Sequence, residues 1–136
     1  MGGYSDGGAE IFYIDALTAL NNINVEQYAI VNKKNIKGIS KLRELEIPYK
    51  AVSFNKLFKC STKFIISKVI KEFKPDIAHY WMGRASSFLI NGKHVNIGWH
   101  SGYRGVERFK YCDYHIALTK ELKIHIASQG IELSKI

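Results

Sequence analysis

Apolar and polar residues follow two different periods along this chain, and the switches between them mark out its elements. Between residues 9 and 20 the positions Ala9, Tyr13, Ala16, Leu17 and Leu20 recur at helical spacing, with Asp15, Thr18 and Asn22 turned away, which predicts an amphipathic helix. Residues 25–31 read as a strand running into the polar Asn32-Lys33-Lys34. Ile36, Ile39, Leu42 and Leu45 predict a short second helix, weakened by Gly38. Pro48 closes it, and residues 49–54 predict another strand. A long helix follows over residues 56–73. Phe58, Ile65, Val69 and Phe73 mark its inner side, and Lys56, Lys59, Lys63, Lys71 and Lys74 form a narrow arc opposite.

After the stop at Lys74-Pro75-Asp76, residues 77–81 predict a buried strand, followed by Met82-Gly83-Arg84 and a small helix to Leu89. Residues 95–99 predict the next strand. A polar, glycine-containing loop from His100 to Gly105 and a short segment around residues 108–111 come after it. Residues 114–118 predict a last strand. Thr119 then caps a final helix that buries Leu122 and Ile126 and ends at Gly130.

Strands and helices alternate throughout. The expected fold is α/β: one Rossmann-like parallel sheet with helices on both faces, a single domain over residues 1–136. Ligands of such sheets gather at the carboxyl ends of the strands. The polar segments Asn32-Lys33, Met82-Gly83-Arg84, His100-Ser101-Gly102 and Thr119-Lys120 are therefore expected to line one edge together with Gly7-Gly8.

Composition adds little until charge is considered. The 46% hydrophobic and 24% charged content is ordinary for a soluble domain, and no apolar run approaches the ~20 residues a membrane span needs. Cys60 and Cys112 are far apart without CxxC spacing, which fits reduced thiols in a cytoplasmic protein. The net charge of +8 favours anionic partners, whether phosphorylated substrates, acidic lipid or nucleic acid. No RNA-binding or helix-turn-helix signature accompanies it, so nucleic acid is not expected. The other four histidines, His79, His94, His115 and His125, show no pairing on one face, and neither a metal nor a cofactor is expected.

The chemistry-bearing residues stand at the predicted strand ends. Gly7-Gly8-Ala9-Glu10 opens the first helix. Glycines there let a ligand approach the backbone, the helix end offers free N–H groups to an oxyanion, and Glu10 is placed to reach back to Gly7. The spacing is neither GxGxxG nor a Walker A loop, which argues against nicotinamide and P-loop chemistry. His100 is either a structural loop histidine or an acid, base or hydroxyl-binding group. Arg84 is either an ordinary surface arginine or a bidentate grip on phosphate or carboxylate. The lysine arc of Lys56, Lys59, Lys63 and Lys71 is either a solvated face or a face turned to anionic lipid.

Gly-Gly-Ala-Glu opening a helix, Lys74-Pro75-Asp76-Ile77 before a buried strand, Trp81-Met82-Gly83-Arg84-Ala85 after it, and Cys112-Asp113-Tyr114 with Leu118-Thr119 before the last helix occur in one order. That ordered set resembles the N-terminal half of a family 4 glycosyltransferase of the two-domain GT-B fold, similar to bacterial enzymes of lipopolysaccharide assembly. The resemblance runs from Gly7 to the end of the chain. It implies transfer of a hexose-like sugar from a nucleotide-sugar donor to a glycan or lipid-linked acceptor, with retention and without a metal. It puts Gly7, Gly8 and Glu10 near the donor phosphates or sugar, His100 in a catalytic role, and Gly83, Arg84, Ser101 and Thr119 on the acceptor side. It also gives the lysine face a use as a peripheral dock on the inner membrane leaflet.

Family members carry a hydrophobic strand directly before the glycine loop, and residues 1–6 do not read as one. Their second domain, with the nucleotide pocket and an acidic E-x7-E pattern, is likewise absent from these 136 residues. The expectation is an acceptor-side half, inactive alone unless a separate chain supplies the rest. A non-catalytic basic module docking on anionic membrane or a partner is the alternative.

Overall fold

A computed structural model describes residues 1–4 and 7–136; Ser5 and Asp6 lie outside the described residues. In chain order the elements are α1 (Gly8–Asn22), β1 (Ala29–Asn32), α2 (Ile36–Glu44), β2 (Tyr49–Val52), a 3-10 turn (Lys56–Phe58), α3 (Lys59–Phe73), β3 (Ile77–Trp81), α4 (Met82–Ser86), β4 (Val95–Trp99), β5 (Tyr114–Ile116), α5 (Lys120–Ala127) and a 3-10 turn (Leu133–Lys135). All strand pairing is parallel, and helices flank the strands in a Rossmann-like α/β arrangement.

The expected single sheet is divided in two. Among the described residues β1 pairs with β2, and β3, β4 and β5 form a second sheet in that order, with no ladder joining β1 to β3. Trp81 stands opposite Trp99, and Trp99 opposite Ile116, so β3, β4 and β5 end level with one another. The halves still share a core: Val31 and Leu42 pack in one cluster with Tyr13, Trp81 and Trp99. Tyr13 meets Trp81 edge-on at 5.2 Å, and Trp81 lies 5.2 Å from Trp99.

Several expected boundaries shift for identifiable reasons. Residues 25–28 are not strand. The ladder begins at Ala29, whose N–H donates to Pro48 O at 2.8 Å, because only there does β2 offer a partner. Residues 53–54 and 117–118 likewise fall outside β2 and β5. The helix foreseen from residue 56 starts at Lys59, since the Asn55 side chain accepts from Leu57 N–H and holds a tight 3-10 turn first.

The inner face of α3 also differs from the expected one. Phe58 is 53% exposed, while Thr62 and Ile66 are buried, Thr62 Oγ1 donating to Ser53 O at 2.8 Å. Lys59 and Ile66 are seven residues apart and share a face, and Lys63 is half-buried. Lys59 and Lys63 therefore lie beside the buried stripe, and Lys71 is on the outer face with Phe64. Gly38, expected to weaken α2, has a local purpose: Asn35 Oδ1 accepts from Gly38 N–H at 2.9 Å, and a Cβ there would lie 2.7 Å from the capping amide.

Candidate functional site

The level ends of β3 and β4 open into a cavity of about 540 Å³. After β3 the chain turns sharply into α4, with Met82 at φ 67°, and this presents Met82, Gly83 and Arg84 to the cavity. After β4 come His100, Ser101 and Gly102, and the loop beyond adds Arg104, Glu107, Arg108 and Phe109. Gly3, Tyr4 and Glu10 close the side nearest α1.

The loop after β4 is anchored by a glycine. A Cβ on Gly98 would come within 2.7 Å of Phe109 Cδ1 and 3.0 Å of Cys112 Sγ, so only a bare backbone lets the loop lie against β4. Asp113 fixes the far end, accepting from Asn96 N–H at 2.7 Å while its own N–H donates to Asn96 O at 2.8 Å. Phe109 in turn stacks on the His100 ring at 3.9 Å between centroids.

His100 lines the cavity yet is only 2% exposed. Its Nε2 lies 3.0 Å from Nδ1 of His115, also buried, so one ring donates and the other accepts. Burial, then the charges of His115 and His125, lower the His100 pKa to about 4. Burial, then Lys135, lowers that of His115. Both rings are neutral near pH 7. The parallel register of β4 and β5 puts His115 beside the end of β4. A separation of fifteen residues hides that contact from any local pattern.

Arginine supplies the charge. Arg84 lies over the Tyr4 ring at 5.5 Å and its Nη1 donates to Gly2 O at 3.4 Å, while Lys34 approaches the same ring at 5.5 Å. Arg104 and Arg108 face the same cavity from the opposite loop. Neither was singled out from the sequence. Their one legible signal is the spacing of four residues in a polar loop. Gly83 is packed tightly under Arg108, whose Cδ would lie 3.1 Å from an added Cβ.

The structure thus brings Glu10, Gly83, Arg84, His100 and Ser101 together around one cavity. Gly7, Gly8 and Thr119 are not among its lining residues, nor are Lys56, Lys59, Lys63 and Lys71. Gly7 precedes α1 in an extended conformation, and a Cβ on Gly8 would meet no atom of the described residues within 4 Å. Thr119 Oγ1 is spent on capping α5, accepting from Leu122 N–H at 3.1 Å. Among the described residues no group of three or more His, Cys, Asp or Glu is placed to hold a metal ion. No helix among them is long and apolar enough to cross a membrane.

The chain is similar to two lipopolysaccharide core biosynthesis glycosyltransferases of Rhizobium meliloti. It is 30% identical to LpsE over 93 residues, 65% of this chain and 26% of that protein. It is 28% identical to LpsD over 90 residues, 62% of this chain and 25% of that protein. The chain thus spans about a quarter of the length of these curated relatives, and the similarity supports a glycosyltransferase relationship. No family model matches the chain, and no solved structure does.

Proposed function

We propose that this chain is the acceptor-side half of a family 4, GT-B-type glycosyltransferase that moves a sugar from a nucleotide-sugar donor to a lipopolysaccharide-type or other glycan acceptor. The observation that carries the reading is the cavity at the carboxyl ends of β3 and β4, lined by Arg84, Arg104, Arg108 and by His100, which hydrogen-bonds His115. This is the edge where parallel α/β sheets take ligands, and guanidinium groups suit phosphate or carboxylate oxygens. With its Nε2 engaged by His115, a neutral His100 has Nδ1 left to bond a sugar hydroxyl or receive its proton as it attacks. The first turn of α1, which has no side-chain cap at Gly7, offers its N–H groups to donor oxygens. In this reading a second domain, not contained in these 136 residues, would hold the nucleotide.

The test is sugar transfer. The chain is incubated with nucleotide sugars and lipid A-type acceptors, with and without a polypeptide supplying the second domain. Transfer is expected only with that polypeptide. Absence of both transfer and acceptor binding in the complemented mixture refutes the reading.

A second reading has its own support. Leu57 is 87% and Phe64 73% exposed, and Phe64 shares one face of α3 with Lys68 and Lys71. Apolar side chains beside lysines suit insertion at an anionic bilayer surface. Co-sedimentation with anionic vesicles that is lost in Lys68→Glu/Lys71→Glu, but kept in Gly8→Val/His100→Ala, supports membrane docking independent of the cavity. Absence of vesicle binding by the parent chain removes it.

A further inference from the structure

We infer that Gln129 is a positioning residue for the cavity: its side-chain amide clamps the backbone on both sides of Gly105 and so sets where Arg104 stands. The inference rests on the anion-binding reading of that cavity and deepens it, since Gln129 itself is not among the lining residues.

The loop after β4 gives Arg104 little support of its own. Arg104 N–H donates to Gly102 O at 2.8 Å and Phe109 N–H to Val106 O at 2.7 Å, bonds that close turns of the loop upon itself. A Cβ on Gly102 would meet no atom of the described residues within 4 Å, and one on Gly105 would meet only Gln129 Oε1, at 3.9 Å. Backbone flanked by two glycines has wide conformational freedom, so an arginine between them keeps a fixed place only where the chain is tied down.

Gln129 supplies the tie. It lies two residues past the end of α5, where its own N–H donates to Ile126 O at 3.1 Å. Its Oε1 accepts from Val106 N–H at 3.1 Å, and its Nε2 donates to Arg104 O at 3.3 Å. One planar group thus meets a backbone donor and a backbone acceptor two residues apart. A carboxamide can do this because it carries both kinds of atom at its tip; a carboxylate lacks the donor and an ammonium the acceptor. His125, four residues back, fixes which way the amide faces: Gln129 Nε2 lies 2.8 Å from His125 Nε2 and donates to His125 O at 3.3 Å, leaving Oε1 turned to Val106.

Apolar contacts reinforce the clamp on both sides of Arg104. The Val106 side chain is buried with Leu122 and Ile126 of α5, and the Tyr103 ring meets His125 edge-on at 5.2 Å. The backbone around Arg104 is therefore held by α5, while Arg104 faces the cavity. An arginine whose backbone is already fixed loses less freedom when it grips an oxyanion, and the clamp is read as affinity.

The experiment titrates inorganic pyrophosphate by calorimetry into the parent chain, Gln129→Met, Arg104→Gln and the double variant. Methionine keeps the length of glutamine without its amide. Gln129→Met is expected to weaken binding about fivefold. Its Tm should stay within about 3 °C of the parent's, because the residue is exposed. The Val106 amide should exchange faster in this variant. In the Arg104→Gln background the same change should cost less than about twofold, since the group it positions is gone. Equal affinity of parent and Gln129→Met overturns the inference and leaves the anion site standing. An equal loss in both backgrounds also overturns it, because Gln129 then acts on the fold and not through Arg104. Absence of binding by the parent chain removes the anion site, and the inference with it.

Discussion

His100 Nε2 and His115 Nδ1 lie 3.0 Å apart at the buried ends of β4 and β5, sharing a single hydrogen bond. The two rings cannot both be charged and keep the bond, because two imidazolium rings would offer donors and no acceptor between them. The pKa of His100 lies near 4 in the folded chain against an ordinary 6.5. An unfolded chain therefore takes up the proton first as pH falls, and protons favour unfolding. Stability from this pair is fully present above pH 6.5 and is lost as pH falls towards 4. His79 acts with the same sign over the same window. Thermal unfolding followed against pH should show Tm falling across that range. His115→Gln, which keeps an acceptor for His100 Nε2, should make the slope shallower; an unchanged slope would exclude the pair as its source.

Gly8→Val separates folding from ligand approach. A Cβ at Gly8 meets no atom within 4 Å, and valine is no worse than glycine in a helix, so unfolding should shift by less than about 1 kcal/mol. Binding of a nucleotide sugar by the complemented protein should nevertheless fall sharply, as read by calorimetry. Equal binding by variant and parent would remove the glycine entrance from the site.

Arg108 faces the cavity alongside Arg84 and Arg104. Inorganic pyrophosphate is a suitable probe, because paired guanidinium bonds to an oxyanion contribute about 1.5–3 kcal/mol each. Arg108→Gln should weaken its binding about tenfold or more and flatten its salt dependence. An unchanged dissociation constant would make Arg108 a surface residue with no share in anion recognition.

Gly98→Ala tests how the loop after β4 is held. The new methyl would sit 2.7 Å from Phe109 Cδ1, so the loop must lift or β4 must bend. Overpacking of this kind costs about 1–3 kcal/mol. Chemical denaturation should show that loss, together with faster exchange of residues 109–112. Wild-type stability would mean that the loop packs elsewhere.

Lys74 ends α3 in the left-handed region at φ 50°. Glycine carries no Cβ penalty there, so Lys74→Gly should stabilise the chain by about 0.5–1 kcal/mol. A lower denaturation midpoint would show that the lysine side chain contributes more than the strain it bears.

Elements with a complete local signal were legible from the chain alone. β3 and β4 are short apolar runs between clear stops and coincide with residues 77–81 and 95–99 as expected. α5 buries Leu122 and Ile126 behind its Thr119 cap, also as expected. The errors fall where a partner decides the outcome. Residues 25–28 have strand composition, but they precede the point where β2 can pair with them. Phe58 has the hydrophobicity of a core residue, but a 3-10 turn aims it outward.

The sequence by itself determined the order of elements, the parallel α/β class and the strand-end positions of Arg84, His100 and Ser101, because periodicity, caps and stops act between near neighbours. Tertiary structure alone decided that His100 bonds His115 and that Arg104 and Arg108 join Arg84 around one cavity. It also decided that the sheet is divided at the buried nitrogen of Met1. These are contacts between residues brought together by strand register and loop packing. Their energies depend on distance in space, which local spacing along a chain does not encode.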